Sequence, residues 1–132
     1  MGNKKLSIVK IGGNVIENET ALLSFLDDFS QLEGAKILIH GGGKEATKLS
    51  QKLGIATQMV EGRRITDKDT VDIITMVYGG LINKRIVSQL QARNCNALGF
   101  SGADGNTILS EKRKPSRCRN WLGVGERISR II

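Results

Sequence analysis

Aromatic side chains are scarce in this sequence. Phe, Trp and Tyr make up 4% of its 132 residues, while Ile, Leu and Val carry most of the 39% apolar content. That balance argues against a small disulfide-stapled fold and favours α/β layering in a chain of one-domain size. Cysteine occurs only at Cys95 and Cys118, a spacing that matches no metal or redox pair. With no signal peptide ahead of them, the two read as reduced thiols in a cytoplasmic protein. No apolar run approaches the ~18 residues a membrane helix needs, so a soluble chain without a membrane partner is expected. The single histidine, His40, is too little to anchor a metal site. At the end of an apolar strand it reads as a packed, hydrogen-bonded side chain rather than a base. Nothing fits the G-x-x-x-x-G-K-[ST] phosphate loop.

The formal charge of +7 would suit nucleic acid as a partner, but its distribution argues otherwise. Residues 1–110 hold 13 Lys and Arg against 11 Asp and Glu, a net of +2; residues 111–132 hold 7 against 2, a net of +5. The basicity belongs to the tail. "EKRKPSRCRNW" reads as a solvated terminus, since only Trp121 offers a ring on which a base could stack, and no nucleic-acid partner is expected.

Two strand-glycine-helix units open the chain. "KLSIVKIGG" (5–13) is a short β-branched run stopped by glycines, followed by a helix with Asn18 as N-cap and Gly34 as stop. "AKILIH" (35–40) repeats the pattern, runs into Gly41-Gly42-Gly43 and feeds "KEATKLSQKLG", with Ala46, Leu49 and Leu53 at helical spacing and Gly54 as C-cap. Apolar strands without alternation, separated by helices, predict an open, mostly parallel sheet with helices on both faces. "ATQMVEGRRIT" (56–66) predicts a β-hairpin turning at Gly62. A long helix follows over 66–94, capped by Thr66 or Asp67, with Gly79 and Gly80 inside it at a kink or a close helix contact. "NALGFSG" (96–102) and "NTILSEK" (106–112) predict a third strand and a fourth extended piece.

A strand that ends in glycines and feeds a helix exposes unpaired N–H groups at a positive helix end, with no Cβ to hold an oxyanion away. The chain makes this construction twice, and Lys10 precedes the first. Ligands of open α/β sheets collect beyond the carboxyl ends of the strands. Two such loops and an ammonium together suggest a phosphoryl group handled between them. Glycines after strands also serve as plain turns. A rival pattern is present as well: Gly41-x-Gly43-x-x-Ala46, with Glu61 downstream, fits the permissive dinucleotide fingerprint of an oxidoreductase. It sits at the second strand-helix junction instead of the first, and Glu61 falls in the predicted hairpin.

"VKIGG", "IHGGGKEATKL", "GRRITD" after a hairpin, "INKRIV" in the long helix and "GFSGADGNTI" resemble, in that order, the N-terminal half of acetylglutamate kinases of the amino-acid kinase family. The resemblance covers about residues 5–114 and marks them as an N-acylglutamate-binding lobe. It implies an open α/β sandwich that phosphorylates the side-chain carboxylate of N-acetyl-L-glutamate, or of N-succinyl-L-glutamate, with ATP and Mg2+ in arginine synthesis, and that forms a homodimer. Under it, Lys10 neutralises the transferring phosphoryl group, Gly12 and Gly13 form the first phosphate loop, and Gly42 and Gly43 give backbone donors to the phosphoryl oxygens and substrate. Arg64 grips the α-carboxylate with its planar fork, in preference to Arg63. The transfer is in-line, with the protein supplying positioning and charge stabilisation and no strong base.

The resemblance also has limits. The family's second half supplies the adenine pocket, an Asn that helps hold the substrate, an Asp that orients the two lysines and a second phosphate-binding Lys, none with a counterpart here. From Pro115 the sequence reads as a basic tail unlike the family, over 115–132, as a truncated or frameshifted product would have. The short chain is therefore expected to be poorly active, with a non-catalytic acylglutamate-binding or assembly module as the alternative.

Overall fold

A computed structural model of the chain describes residues 5–56, 59–60 and 63–109. Strand β1 (Leu6–Ile11) leads to a short helix α1 (Gly13–Glu17) and to α2 (Glu19–Gln31); β2 (Ala35–His40) leads to α3 (Gly43–Lys52). The extra helix α1 was not expected. Asn18 separates it from α2 and caps the latter, its Oδ1 accepting from Ala21 N at 3.0 Å. Helix α3 ends where foreseen. Gly54 takes φ +70°, and the amides of Gly54 and Ile55 donate to the carbonyls of Gln51 (3.1 Å) and Ser50 (2.9 Å), closing a Schellman turn.

Strands β1 and β2 pair in parallel from Leu6↔Ala35 to Ile11↔His40. Residues 59–60 (β3) and 63–64 (β4) pair antiparallel as the expected hairpin. Its turn residue Gly62, together with Glu61, lies outside the described residues, as do the tail residues Cys118 and Trp121. Cys95 is a free thiol.

The long helix is present but not uniform. Helix α4 (Lys68–Ile74), capped by Asp67 Oδ1 accepting from Thr70 N at 2.8 Å, passes into a π-helical stretch over Thr75–Ile82 and continues as α5 (Asn83–Gln91). Hydrogen bonding to Thr70 holds the Asp67 carboxyl below the usual carboxylate range. Outside its own helix, no atom of the described residues lies within 4 Å of a Cβ built on Gly79 or Gly80, so among these residues the glycines mark no close helix contact. They sit where the helix widens, and a glycine backbone tolerates that at least cost.

Neither the third strand nor the fourth extended piece forms a strand among the described residues. Residues 95–100 form no ladder, and Asp104–Asn106 is a turn of 3-10 helix. Three carbonyls of this segment are instead taken by side chains of α5: Gln91 Nε2 donates to Ala97 O (3.1 Å), Lys84 Nζ to Gly99 O (3.2 Å) and Asn83 Nδ2 to Phe100 O (3.4 Å). Those donors satisfy the backbone that a neighbouring strand would otherwise have to pair. Residues 110–112 of the fourth piece lie outside the described residues.

The helices pack one face of the β1–β2 sheet. Leu26, Ile73, Val77, Ile82 and Ile86 form one buried cluster against Val9, Ile11 and Leu38. On the opposite face Leu6, Ile8, Ile37 and Ile39 stay exposed, so among the described residues helices cover one face of this sheet. Lys36, on the packed side, closes the end of α2: its Nζ donates to the carbonyls of Phe29 (3.0 Å), Ser30 (2.7 Å) and Leu32 (2.8 Å) and sits 5.4 Å from the centre of the Phe29 ring. A cation among the orphan carbonyls of a helix C-terminus is stabilising. Lys36→Met keeps the stem and removes those contacts; it is expected to cost about 1 kcal/mol, read as a lower urea midpoint at unchanged slope.

Candidate functional site

The parallel register brings the ends of β1 and β2 side by side, since Lys10 opposes Ile39 and Ile11 opposes His40. Each strand then runs straight into glycines. Gly12 precedes α1 and Gly42 precedes α3, so neither N-cap residue has a side chain of its own to cap the helix. The two turns face one cleft of about 440 Å3, whose lining includes Lys10, Gly12, Gly13, Gly41, Gly42 and Gly43. Five of the six residues singled out from the sequence, Lys10, Gly12, Gly13, Gly42 and Gly43, thus meet at one place. The sixth, Arg64, has its backbone on β4, paired with Met59; its side chain lies outside the described residues.

The glycines are there for two different reasons. A Cβ built on Gly12 or Gly41 would meet no atom of the described residues within 4 Å beyond its chain neighbours, so at these positions the missing side chain leaves open room. At Gly42 the protein itself needs the room: a Cβ would overlap Ile82 Cδ1 and lie 2.8 and 2.9 Å from Tyr78 Cδ1 and Cε1. The π-helical stretch therefore packs directly beneath the second turn.

Two ammonium groups flank the cleft in different states. Lys44 is committed, its Nζ donating to Asn14 Oδ1 at 2.9 Å and to Glu17 Oε2 at 3.3 Å, which ties the start of α3 to α1 and fixes the spacing of the turns. Lys10 is exposed, and among the described residues its ammonium makes no ion pair or hydrogen bond. An uncommitted ammonium beside open main-chain turns suits an anion.

His40 is packed and hydrogen-bonded, as expected. Its Nδ1 lies 3.0 Å from Gly41 O and its Nε2 3.4 Å from Asn83 Nδ2, and a proton on Nδ1 satisfies both contacts. The ring thereby anchors the carbonyl of the first glycine of the second turn. Asn83 reaches from the start of α5 to both His40 and Phe100 O, and its Oδ1 is buried with no partner among the described residues.

Sequence reasoning missed Tyr78 and Lys44 as cleft residues. For Lys44 a signal existed in its position directly after the triglycine. For Tyr78 the only hint was an aromatic side chain beside Gly79 in a chain with few. No group of three His, Cys, Asp or Glu side chains among the described residues is placed to hold a metal ion.

The model of the amino acid kinase family matches residues 5–129. The chain belongs to the amino acid kinase family. It is 62% identical over 123 residues to an acetylglutamate kinase of Cytophaga hutchinsonii, a match covering 93% of this chain and 47% of that protein. With the acetylglutamate kinase of Bacteroides thetaiotaomicron the identity is 56% over 110 residues, covering 83% of this chain and 43% of the other. This family member thus spans about half the length of the curated relatives it matches. Among solved structures, the fold is similar to smu.665 from Streptococcus mutans UA159, with a TM-score of 0.56 and 22% identity over 67% of this chain and 37% of that one. It is also similar to N-acetylglutamate synthase from Neisseria gonorrhoeae complexed with coenzyme A and N-acetyl-glutamate, with a TM-score of 0.53 and 25% identity over 65% of this chain and 20% of the other. The mixed α/β class with a parallel sheet stands, and the dinucleotide reading of the triglycine gives way to the family match. No helix among the described residues is long and apolar enough to cross a membrane.

Proposed function

We propose that the chain is the acceptor-binding portion of an acetylglutamate kinase. In the complete reaction the terminal phosphoryl group of ATP passes to a side-chain carboxylate oxygen of N-acetyl-L-glutamate, giving an acyl phosphate and ADP. The observation that carries this reading is the convergence of both glycine turns and Lys10, unpaired among the described residues, on one cleft at the ends of two parallel strands. The 62% identity to an acetylglutamate kinase supports the choice of substrate, and so does a structural neighbour whose complex contains N-acetyl-glutamate.

In this reading the Gly41–Gly43 turn seats the acceptor, Gly12 and Gly13 face the phosphoryl oxygens, and Lys10 balances the negative charge that accumulates between them. Arg64, carried on the hairpin, is assigned to the α-carboxylate of the acceptor. Mg2+ enters with the nucleotide. Self-association as a homodimer belongs to the same proposal, supported by the exposed Leu6, Ile8, Ile37 and Ile39.

Calorimetry with N-acetyl-L-glutamate tests the reading. The 132-residue chain is expected to bind it, to lose that binding on Arg64→Ala, and to show no ordinary turnover in a coupled ADP-release assay. Absence of any binding to the folded chain overturns the acceptor assignment; ordinary turnover overturns the division of labour.

A further inference from the structure

Tyr78 is the chain's only tyrosine, and it stands in the wall of the cleft. Its ring edge packs beneath Gly42, with Cδ1 and Cε1 at 2.8 and 2.9 Å from the place a Cβ would take, and its hydroxyl lies 3.5 Å from the corresponding place on Gly43. The residue is half-buried, yet its hydroxyl makes no hydrogen bond among the described residues. Phenols placed so normally find a partner. The backbone around Tyr78 is also unusual: the helix runs in π turns from Thr75 to Ile82, so that Tyr78 and Ile82 both reach the second glycine turn. Such stretches recur at functional sites.

The chemistry of the cleft narrows what the hydroxyl could meet. Lys10 offers only donors, Lys44 is bound to Asn14 and Glu17, and Asn14 spends its oxygen on Lys44. The polar side chains left to face a ligand there are donors, and a donor-rich wall selects an acceptor-rich, anionic group.

We infer that Tyr78 is a substrate-binding residue whose hydroxyl donates a hydrogen bond to an oxygen of the carboxylate-bearing acceptor seated on the Gly42–Gly43 turn. This assignment rests on the acceptor-binding reading given above and adds to it a specific contact from the π-helical stretch. The ring holds the turn from below while the hydroxyl reaches past it into the cleft.

Tyr78→Phe separates the two roles, because it keeps the ring under Gly42 and removes only the oxygen. With N-acetyl-L-glutamate as the calorimetric probe, the variant is expected to bind about tenfold more weakly at an unchanged melting midpoint. A second readout uses the residue's uniqueness: ring-13C-labelled tyrosine gives a single spin system, whose Cζ resonance is expected to move when N-acetyl-L-glutamate is added. Binding by Tyr78→Phe at full strength, or a Cζ signal indifferent to saturating ligand, overturns the assignment and leaves the acceptor reading intact. Failure of the unaltered chain to bind overturns both. A lower melting midpoint with unweakened binding reduces Tyr78 to a packing residue and equally overturns the proposal.

Discussion

Gly42→Ala is expected to lower the thermal midpoint of the chain by several degrees and to remove measurable N-acetyl-L-glutamate binding. The added methyl has nowhere to go, since it would overlap Ile82 Cδ1 and press on the Tyr78 ring from within 3 Å. Both neighbours are held by the buried cluster: Ile82 is one of its members and Tyr78 packs against it. Relief therefore requires the turn to lift or the π-helical stretch to shift, and overpacking of this kind costs about 1–3 kcal/mol, which for a chain of this size is roughly 3–15 °C in midpoint. Gly41→Ala is the matched control. A Cβ at Gly41 meets no atom of the described residues within 4 Å beyond its chain neighbours, so the same methyl is expected to leave the midpoint in place and weaken binding only by intruding on the ligand. Differential scanning calorimetry of the pair decides the matter. Equal midpoints for Gly42→Ala and the unaltered chain would mean that the turn does not rest on Tyr78 and Ile82 as described.

Lys10→Met is expected to do the reverse, with a large effect on anion binding and almost none on stability. Lys10 is exposed and unpaired among the described residues, so the fold loses no ion pair with it. If its ammonium completes the cleft between the two glycine turns, loss of a charge-assisted contact is worth about 1.5–3 kcal/mol, roughly tenfold to a hundredfold in dissociation constant. Tripolyphosphate, which presents the oxygens of a nucleotide without its base, is a suitable calorimetric probe. Its binding should weaken by that factor in Lys10→Met and should fall with added salt in the unaltered chain. Lys44→Met provides the contrast: that ammonium ties α3 to α1 through Asn14 and Glu17, so its loss is expected to loosen the spacing of the turns as well as the charge.

What the sequence makes legible here is local. Asn18, Asp67 and Gly54 announce helix ends because each satisfies orphan backbone groups within a few residues of itself, and each does so in the structure. The two strand-glycine-helix junctions are legible for the same reason, and so is Lys10 before the first of them. What fails is long-range. The apolar run at 96–102 looks like a strand, yet pairing depends on a neighbour that nearby sequence does not name, and side chains of α5 occupy its carbonyls instead. The π-helical stretch is equally hidden, because apolar residues at 73, 74, 77, 81 and 82 satisfy an ordinary helical period about as well as a widened one. With it goes Tyr78, whose place in the cleft depends on that widening. The exposed Leu6, Ile8, Ile37 and Ile39 show a related limit: continuous apolar strands predict burial on both faces, and what lies against the second face is not written in the strands themselves. The hairpin is legible as a hairpin, but nothing in the residues themselves separates Arg64 from Arg63; only the resemblance does.

The central claim is that the two glycine turns line one anion-binding cleft at the ends of β1 and β2, with the acceptor seated on the second turn. A titration of 15N-labelled chain with N-acetyl-L-glutamate tests it most directly. The largest amide shifts are expected at Gly41, Gly42 and Gly43, with smaller ones at Gly12 and Gly13 and little change along α2. Shifts confined to residues remote from both turns, or saturable binding that leaves all five glycine amides unmoved, would contradict the account.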